Sequence, residues 1–223
     1  MTELRPPPVP ERLLDRGGWE LAEEHVESLV EKSWIDVRGA TRRFEDARSR
    51  RALRNATAGQ VDHPVRFFAV TRLAIESSIL TGFTPLLFRG GIRRKAGESF
   101  VERLESEGLR DITREDRERI RLPDRGRITV RTYTAVDPIT GFGESEPPSR
   151  TDDCTVDLPV ECRIGVWIDG GAVWVISGGY ASVELAEAFD LETAVAELVR
   201  SPAEYRTEFE NLLSGFVTAV NEE

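Results

Sequence analysis

The alternation of apolar and polar positions predicts a chain built from several β-strands and a few helices. Residues 64–77, PVRFFAVTRLAIES, are rich in β-branched and aromatic side chains and contain few breakers, so we expect a central strand there. A second strand is predicted over residues 125–138, where two sets of side chains alternate. The set expected to point inward is Ile128, Val130, Thr132, Thr134 and Val136.

The clearest local pattern is a β-hairpin over residues 164–179, with its turn at Asp169–Gly170 or Gly170–Gly171. Either turn places Trp167 and Trp174 on one face, and both faces are apolar. Such a hairpin lies inside a sheet that is covered on both sides, or it lines a ligand cavity with one face. In the second case Trp167 and Trp174 are the candidate pocket residues.

Two helices are marked by their ends. Residues 201–204, SPAE, form a capping box that opens a C-terminal helix. Its apolar stripe, expected to pack on the sheet, consists of Tyr205, Phe209, Leu212, Leu213 and Phe216. An earlier helix is predicted within residues 97–112, with Phe100 and Leu104 inward and Gly108 at its C-terminal cap. The predicted fold class is α+β: an antiparallel-rich sheet with helices packed on it and a long C-terminal helix.

Residues 17–32, GGWELAEEHVESLVEK, fit two structures. Their apolar residues recur at helical spacing, and the Glu, Leu and Ala content favours a helix. However, the next segment reads as a strand that ends near Phe44, and the two segments could equally form a β-meander. Periodicity alone leaves both alternatives open.

The charge balance limits the partners. The 223-residue chain has 39% hydrophobic residues and a formal net charge of -10. A chain of this length can bury a hydrophobic core, while its net negative charge would repel nucleic-acid phosphates. Lys32 and Lys95 are the only lysines among 30 basic residues, which indicates either a high-salt cytoplasm or an arginine-favouring genome.

Domain boundaries follow from composition. Residues 1–16 are predicted to be a proline-rich N-terminal arm and residues 17–223 a single domain with an exposed loop near 139–153. We find no signal-peptide core and no apolar run that approaches the roughly 18 residues of a membrane span, so the predicted location is cytoplasmic. Cys154 and Cys162 are either inert thiols or, if the chain turns tightly at 157–159, a bridged pair.

Five segments resemble a known family: GGWE, VRGATRRFED, PVRFFAVTRL, SFVERLESEGLRDI and GVWIDGGAVWVISGGY. The family consists of uncharacterised haloarchaeal proteins of this size, some of them lipoproteins, and the match spans residues 17–180. The resemblance implies that residues 18–46 form strands, and it supports a halophilic protein. It implies no chemistry. The meander with packed helices is also similar in fold to the Mog1/PsbP-type sandwich.

The basic residues give two candidate surfaces. Seven arginines lie from Arg38 to Arg54, and we expect them to pair with the chain's own acids, so no specific nucleic acid is predicted. The apolar-basic segment 79–95 could dock on a protein partner, form a buried crossover or touch a membrane surface. Its candidate partner-binding residues are Leu86, Leu87, Phe88, Arg89, Arg93 and Arg94. Residues 90–99 lack the phosphate-loop pattern and read as a flexible basic turn before a helix.

No pattern in the sequence carries a reaction. His25 and His63 lack a second metal ligand at helical or strand spacing, so no metal or cofactor is predicted. The leading hypothesis is a non-enzymatic interaction module with a protein partner. The alternative is a small-ligand-binding or enzymatic sandwich with its pocket at Trp167 and Trp174. The oligomeric state is left open.

Overall fold

A computed structural model describes most of the chain. The described ranges are residues 4–32, 35–77, 89–122, 126–140, 155–169, 172–191 and 200–221. Within them, seven strands form one antiparallel sheet. The strands are β1 (Trp19–Lys32), β2 (Ile35–Asp46), β3 (Arg66–Ser77), β4 (Arg110–Leu122), β5 (Gly126–Thr140), β6 (Thr155–Asp169) and β7 (Ala172–Ala181). Their order is β1-β2-β3-β7-β6-β5-β4, which confirms that β3 is a central strand.

Five helices accompany the sheet in the described ranges. They are α1 (Glu11–Gly17), α2 (Ala47–Ala56), α3 (Arg89–Ser106), α4 (Leu185–Ala188) and α5 (Pro202–Asn221). The predicted α+β class with a long C-terminal helix is therefore confirmed. The capping box is present at the start of α5, because the Ser201 N–H donates to Glu204 Oε2 at 2.8 Å. The predicted stripe of α5 is buried, from Tyr205 to Phe216.

The sheet separates two apolar cores. Alternate residues of a strand point to opposite faces, so the α5 face receives one set of side chains and the α3 face the other. Phe68 and Val70 of β3 pack under α5. Phe100 and Leu104 of α3 pack on the opposite face. The hairpin is apolar on both sides because both of its faces meet a core.

The tryptophans of the β6–β7 hairpin belong to the α5 core. Trp167 pairs across the strands with Trp174, so the two indoles share a face, as predicted. Both indoles are buried, and both contact the edge of Phe216 at centroid distances of 5.7 and 6.1 Å. The ring faces that were candidates for a ligand pocket are thus packed against the C-terminal helix.

Residues 19–32 are strand, as the family resemblance implied and the helical period did not. β1 pairs with β2 along its length, with partners from Trp19 and Asp46 to Lys32 and Ile35. Residues 11–16, which were assigned to the N-terminal arm, lie in helix α1. Leu13 of α1 packs on the α5 core. Apolar residues at both ends of the chain therefore complete one core.

Three local predictions are wrong. Residues 90–99 lie in α3, so they are not a basic turn before the helix. Ile139 is buried in β5, so the predicted exposed loop does not begin there. In β5 the buried set of side chains changes from one face of the strand to the other. The conditional turn at 157–159 is absent, because β6 is continuous from Thr155 to Asp169.

The change of face in β5 has a packing cause. Ile128 and Val130 are buried under α5 as expected, whereas Thr134 is exposed. From Tyr133 to Ile139 the odd-numbered residues are buried instead, on the face that carries α3. One strand therefore contributes to both cores at different points along its length.

Candidate ligand-binding groove

A cavity of about 800 Å³ lies between α3 and the sheet. Its floor is the α3-facing side of β1, β2, β3 and β7, and α3 forms its roof. We call this cavity the α3 groove. Its volume falls within the range of ordinary small-molecule sites, which is about 300–1,000 Å³.

The floor shows why the space exists. Phe68 and Val70, which face α5, are 1% and 0% exposed. Their neighbours on the same strand point into the groove and are all only half-buried: Phe67, Ala69, Thr71, Leu73 and Ile75. Small side chains stand at Ala69 and Thr71, so β3 presents a shallow channel to α3.

The roof is the inner side of α3. Its contributions to the groove include Ile92, Ala96, Ser99, Phe100 and Leu104. The helix is held close to the sheet further along, where Gly97 lies against β5. A Cβ at Gly97 would come within 2.3 Å of Arg131 Nη1 and 3.0 Å of the Tyr133 hydroxyl, so a larger residue would displace these side-chain ends. The close contact at Gly97 leaves the groove on the β1–β3 side of the helix.

Ion pairs tie the C-terminal half of α3 to the sheet at the rim of the groove. Glu107 accepts from Arg43 Nη2 at 3.4 Å and from Arg103 Nε at 2.8 Å. Arg103 also donates to Glu23 of β1 at 3.0 Å. The pKa of Arg103 is raised, first by its hydrogen bond to Glu107 and further by the nearby Glu23. These charges close one end of an otherwise apolar space.

A few polar groups lie inside the groove. The hydroxyls of Thr41 and Thr71 are 2.9 Å apart on the floor, and Ser177 lines it from β7. The Nε of Arg43 is buried and has no hydrogen-bond partner among the described residues. A buried donor without an acceptor is costly, and this N–H is inaccessible from the groove, so the hydroxyls are the polar groups that a ligand can reach.

The structure describes only part of the predicted partner-binding set. Leu86, Leu87 and Phe88 lie outside the described residues, and Arg89 begins α3. Arg94 points to solvent, where its Nε lies 3.8 Å from Glu98 Oε1. Arg93 instead lines a second cavity on the other side of α3. A protein partner on this segment therefore stays a prediction.

The hairpin does line a cavity, but not with its tryptophans. Val175 and Ser177, on the face opposite Trp174, contribute to the α3 groove. The side of the hairpin that was the candidate for a pocket, with Trp167 and Trp174, therefore packs against α5, and the opposite side lines the groove. The face could not be chosen from sequence, because both sets of side chains are equally apolar.

The buried thiol of Cys162 is not a nucleophile. Its pKa is raised to about 12, mainly by burial and further by the nearby carboxylates of Asp137, Glu107 and Glu161. A thiol with this pKa stays protonated at neutral pH and does not attack electrophiles. Cys162 is free, and Cys154 lies outside the described residues.

Among the described residues, no three His, Cys, Asp or Glu side chains are grouped so that they could hold a metal ion. No described helix has the length and apolar character needed to cross a membrane.

Six of the seven arginines from Arg38 to Arg54 pair with acids of the chain among the described residues, in keeping with the prediction. Arg42 Nε donates to Glu24 at 2.6 Å, and Arg51 Nη2 donates to Glu20 at 3.0 Å. The cluster thus stabilises the contact of β2 and α2 with the edge strand β1.

The fold and the groove define the class of protein: an α+β protein in which α5 packs closely on one face of the sheet and α3 leaves part of the other face uncovered. The model of the family described as "Domain of unknown function (DUF6517)" matches residues 6–216, and the chain belongs to that family. Neither a curated protein nor a solved structure matches the chain. The haloarchaeal origin and the likeness to Mog1/PsbP-type sandwiches therefore remain predictions.

Proposed function

We propose that this protein is a non-enzymatic binding protein that holds a mainly apolar small molecule in the α3 groove. The observation that carries the proposal is the groove itself: about 800 Å³ lined largely by apolar side chains and placed directly above the sheet. A groove of this size is large enough to hold most of a small molecule.

The lining limits the chemistry of the ligand. Aliphatic and aromatic side chains from β3 and α3 supply most of the contacts, and these favour a hydrocarbon or aromatic body. The hydroxyls of Thr41, Thr71 and Ser177 supply the polar groups of the floor. We therefore expect a ligand with an extended apolar body and one or two polar atoms that reach these hydroxyls.

A neutral fluorescent probe tests this function. N-phenyl-1-naphthylamine gains emission in apolar sites, and we expect saturable binding to the wild-type protein. Ala69→Trp places a large side chain on the groove floor and should weaken binding by about tenfold or more, equivalent to roughly 1.4 kcal/mol. Ala69→Leu should have a smaller effect in the same direction.

The matched control is Val26→Trp. Val26 is 51% exposed, and the strand alternation places it on the opposite face of β1 from His25, which lines the groove. This variant adds an indole to the sheet without entering the groove and should bind the probe like the wild type. Equal binding by the Ala69 variants, with melting curves that show intact folds, would exclude the α3 groove as the binding site.

A protein partner on residues 86–94 is the second candidate. It is supported by the outward position of Arg94 and Lys95, which are 78% and 56% exposed on α3. Purification of the tagged protein from its own cells, followed by mass analysis, is the test. A companion that is lost on Leu86→Asp plus Leu87→Asp, with the fold intact, would support this role. We further propose a high-salt cytosol as the setting, in keeping with the net charge of -10.

A further inference from the structure

A second cavity, of about 610 Å³, lies on the other side of α3, above β4 and β5. Four of its lining residues are arginines: Arg93 from α3, Arg117 and Arg119 from β4, and Arg131 from β5. Its remaining lining residues are Thr129, Ile164 and Val166. We call this space the arginine cavity.

The strand register concentrates these charges on one face. Arg117 pairs directly with Arg131, and Arg119 pairs with Thr129. Directly paired residues of antiparallel strands share a face, so two guanidinium groups lie opposite each other. Like charges in this position destabilise a sheet. A chain with a net charge of -10 has ample acid to avoid such a pair, so its presence calls for an explanation.

Three of the four arginines have no acidic partner among the described residues. Arg117, Arg119 and Arg131 form no ion pair with any described carboxylate. Glu118 stands between Arg117 and Arg119 in β4 but points to the α5 face, where it accepts from the buried Arg163 at 2.5 Å. The sheet itself thus keeps this carboxylate away from the arginines.

The arginine cavity is bounded by α3 on one side and by the sheet on the other. Arg131 lies against Gly97 of α3, so its guanidinium lies between the helix and the sheet. Ile164 forms apolar floor for the cavity, and the same residue also lines the α3 groove. The arginine cavity and the groove therefore adjoin beneath α3, one cationic and the other apolar.

We propose that the arginine cavity is an anion site that binds a phosphate-like oxyanion group. Arginine presents its N–H donors in a planar fork that matches the oxygens of phosphate, and several forks can converge on one such group. Thr129 adds a hydroxyl donor beside Arg119. The oxyanion is either a free phosphate or the head group of a ligand whose body lies in the α3 groove, and both sources offer the same chemistry.

Calorimetric titration with three probes tests the site: inorganic phosphate, dodecyl phosphate and dodecanol. The experiment uses the full chain at a salt concentration where circular dichroism shows it folded. Arg117→Gln combined with Arg119→Gln removes two exposed cations without changing the apolar floor. We expect this double variant to lower the affinity for the phosphate-bearing probe by about tenfold or more. Arg54→Gln, a remote exposed arginine on α2, is the control with the same type of change and should bind like the wild type.

The probes separate the two sources. Binding of inorganic phosphate that the double variant weakens supports the site with free phosphate as its ligand. Binding of dodecyl phosphate alone, weakened by the double variant while dodecanol is unaffected, supports the head-group source. The proposal is overturned if inorganic phosphate does not bind and dodecyl phosphate binds no more tightly than dodecanol, or if the double variant binds all probes like the wild type. Dodecanol binding reports on the α3 groove by itself, so failure of the anion site and failure of the groove are distinguishable.

Discussion

Arg66 and Asp46 form an ion pair across the α5 core, with 3.0 Å between Nη2 and Oδ2 and both side chains 3% exposed. Arg66 also pairs with Glu208 of α5 and donates to the Gly17 carbonyl at 3.0 Å. Its guanidinium lies between the rings of Trp19 and Tyr205, at 4.1 and 4.7 Å from their centroids. One cation therefore joins β3, the start of α2, the end of α1 and α5.

Loss of this cation should destabilise the fold strongly. In Arg66→Met the buried carboxylate of Asp46 loses the cation that it pairs with, and we expect the free energy of unfolding to fall by about 3–5 kcal/mol. Chemical denaturation measures the change. The control is Arg51→Met, which removes an exposed pair with Glu20 and should cost less than about 1 kcal/mol. Equal stabilities for the two variants would show that the buried pair is not a structural centre.

Phe216 should hold the tryptophan hairpin in the core. Its ring contacts both Trp167 and Trp174, and its side chain is 1% exposed. Phe216→Ala removes the contact and leaves a cavity, so we expect a loss of about 3–5 kcal/mol. Acrylamide quenching of tryptophan emission, in a Trp34→Phe background, should rise in this variant from a low value in the parent. High quenching in the parent would instead show that the indoles are accessible.

Local rules explain what was predictable from sequence. The capping box at Ser201 and the apolar stripe of α5 involve residues a few positions apart, so their pattern is complete within one segment. The β6–β7 hairpin was predicted for the same reason. β1 was ambiguous because its glutamates favour a helix, and its strand conformation depends on pairing with β2. Tertiary pairing overrode propensity there.

The α3 groove could not be predicted from sequence, because it exists only where α3 does not pack closely on the sheet. Phe67 and Leu73 are as apolar as core residues, and only the position of α3 leaves them half-buried. The arginine cavity did leave a signal that the sequence analysis missed. Arg117, Arg119 and Arg121 recur with a period of two, which puts them on one face if the segment is a strand. The Glu and Arg content of β4 favours a helix, so the strand is not evident from the sequence.

Cys162 should be unreactive in the folded protein. Its pKa of about 12 exceeds the ordinary 9.0, chiefly because of burial, so the folded state favours the protonated thiol. The resulting contribution to stability is complete below pH 9.0 and is lost as the pH rises toward 12. In a Cys154→Ser background, we expect a disulfide reagent at pH 8 to modify Cys162 only after denaturant is added. Rapid modification of the native protein would contradict the burial of this thiol.

Arg117 offers a test of whether the arginine cavity is maintained at a cost in stability. Its guanidinium opposes that of Arg131 across β4 and β5, and relief of like-charge repulsion is worth about 0.2–1 kcal/mol. Arg117→Gln should therefore leave the ligand-free protein as stable as the wild type or more stable, which is the behaviour expected of a binding site rather than a structural contact. Thermal melting in phosphate-free buffer measures this, with Arg110→Gln as control, because Arg110 pairs with Asp157 and its loss removes an attraction. A clear loss of stability in Arg117→Gln would mean that the arginine has a structural role, since a residue retained for anion binding contributes stability only when its anion is bound.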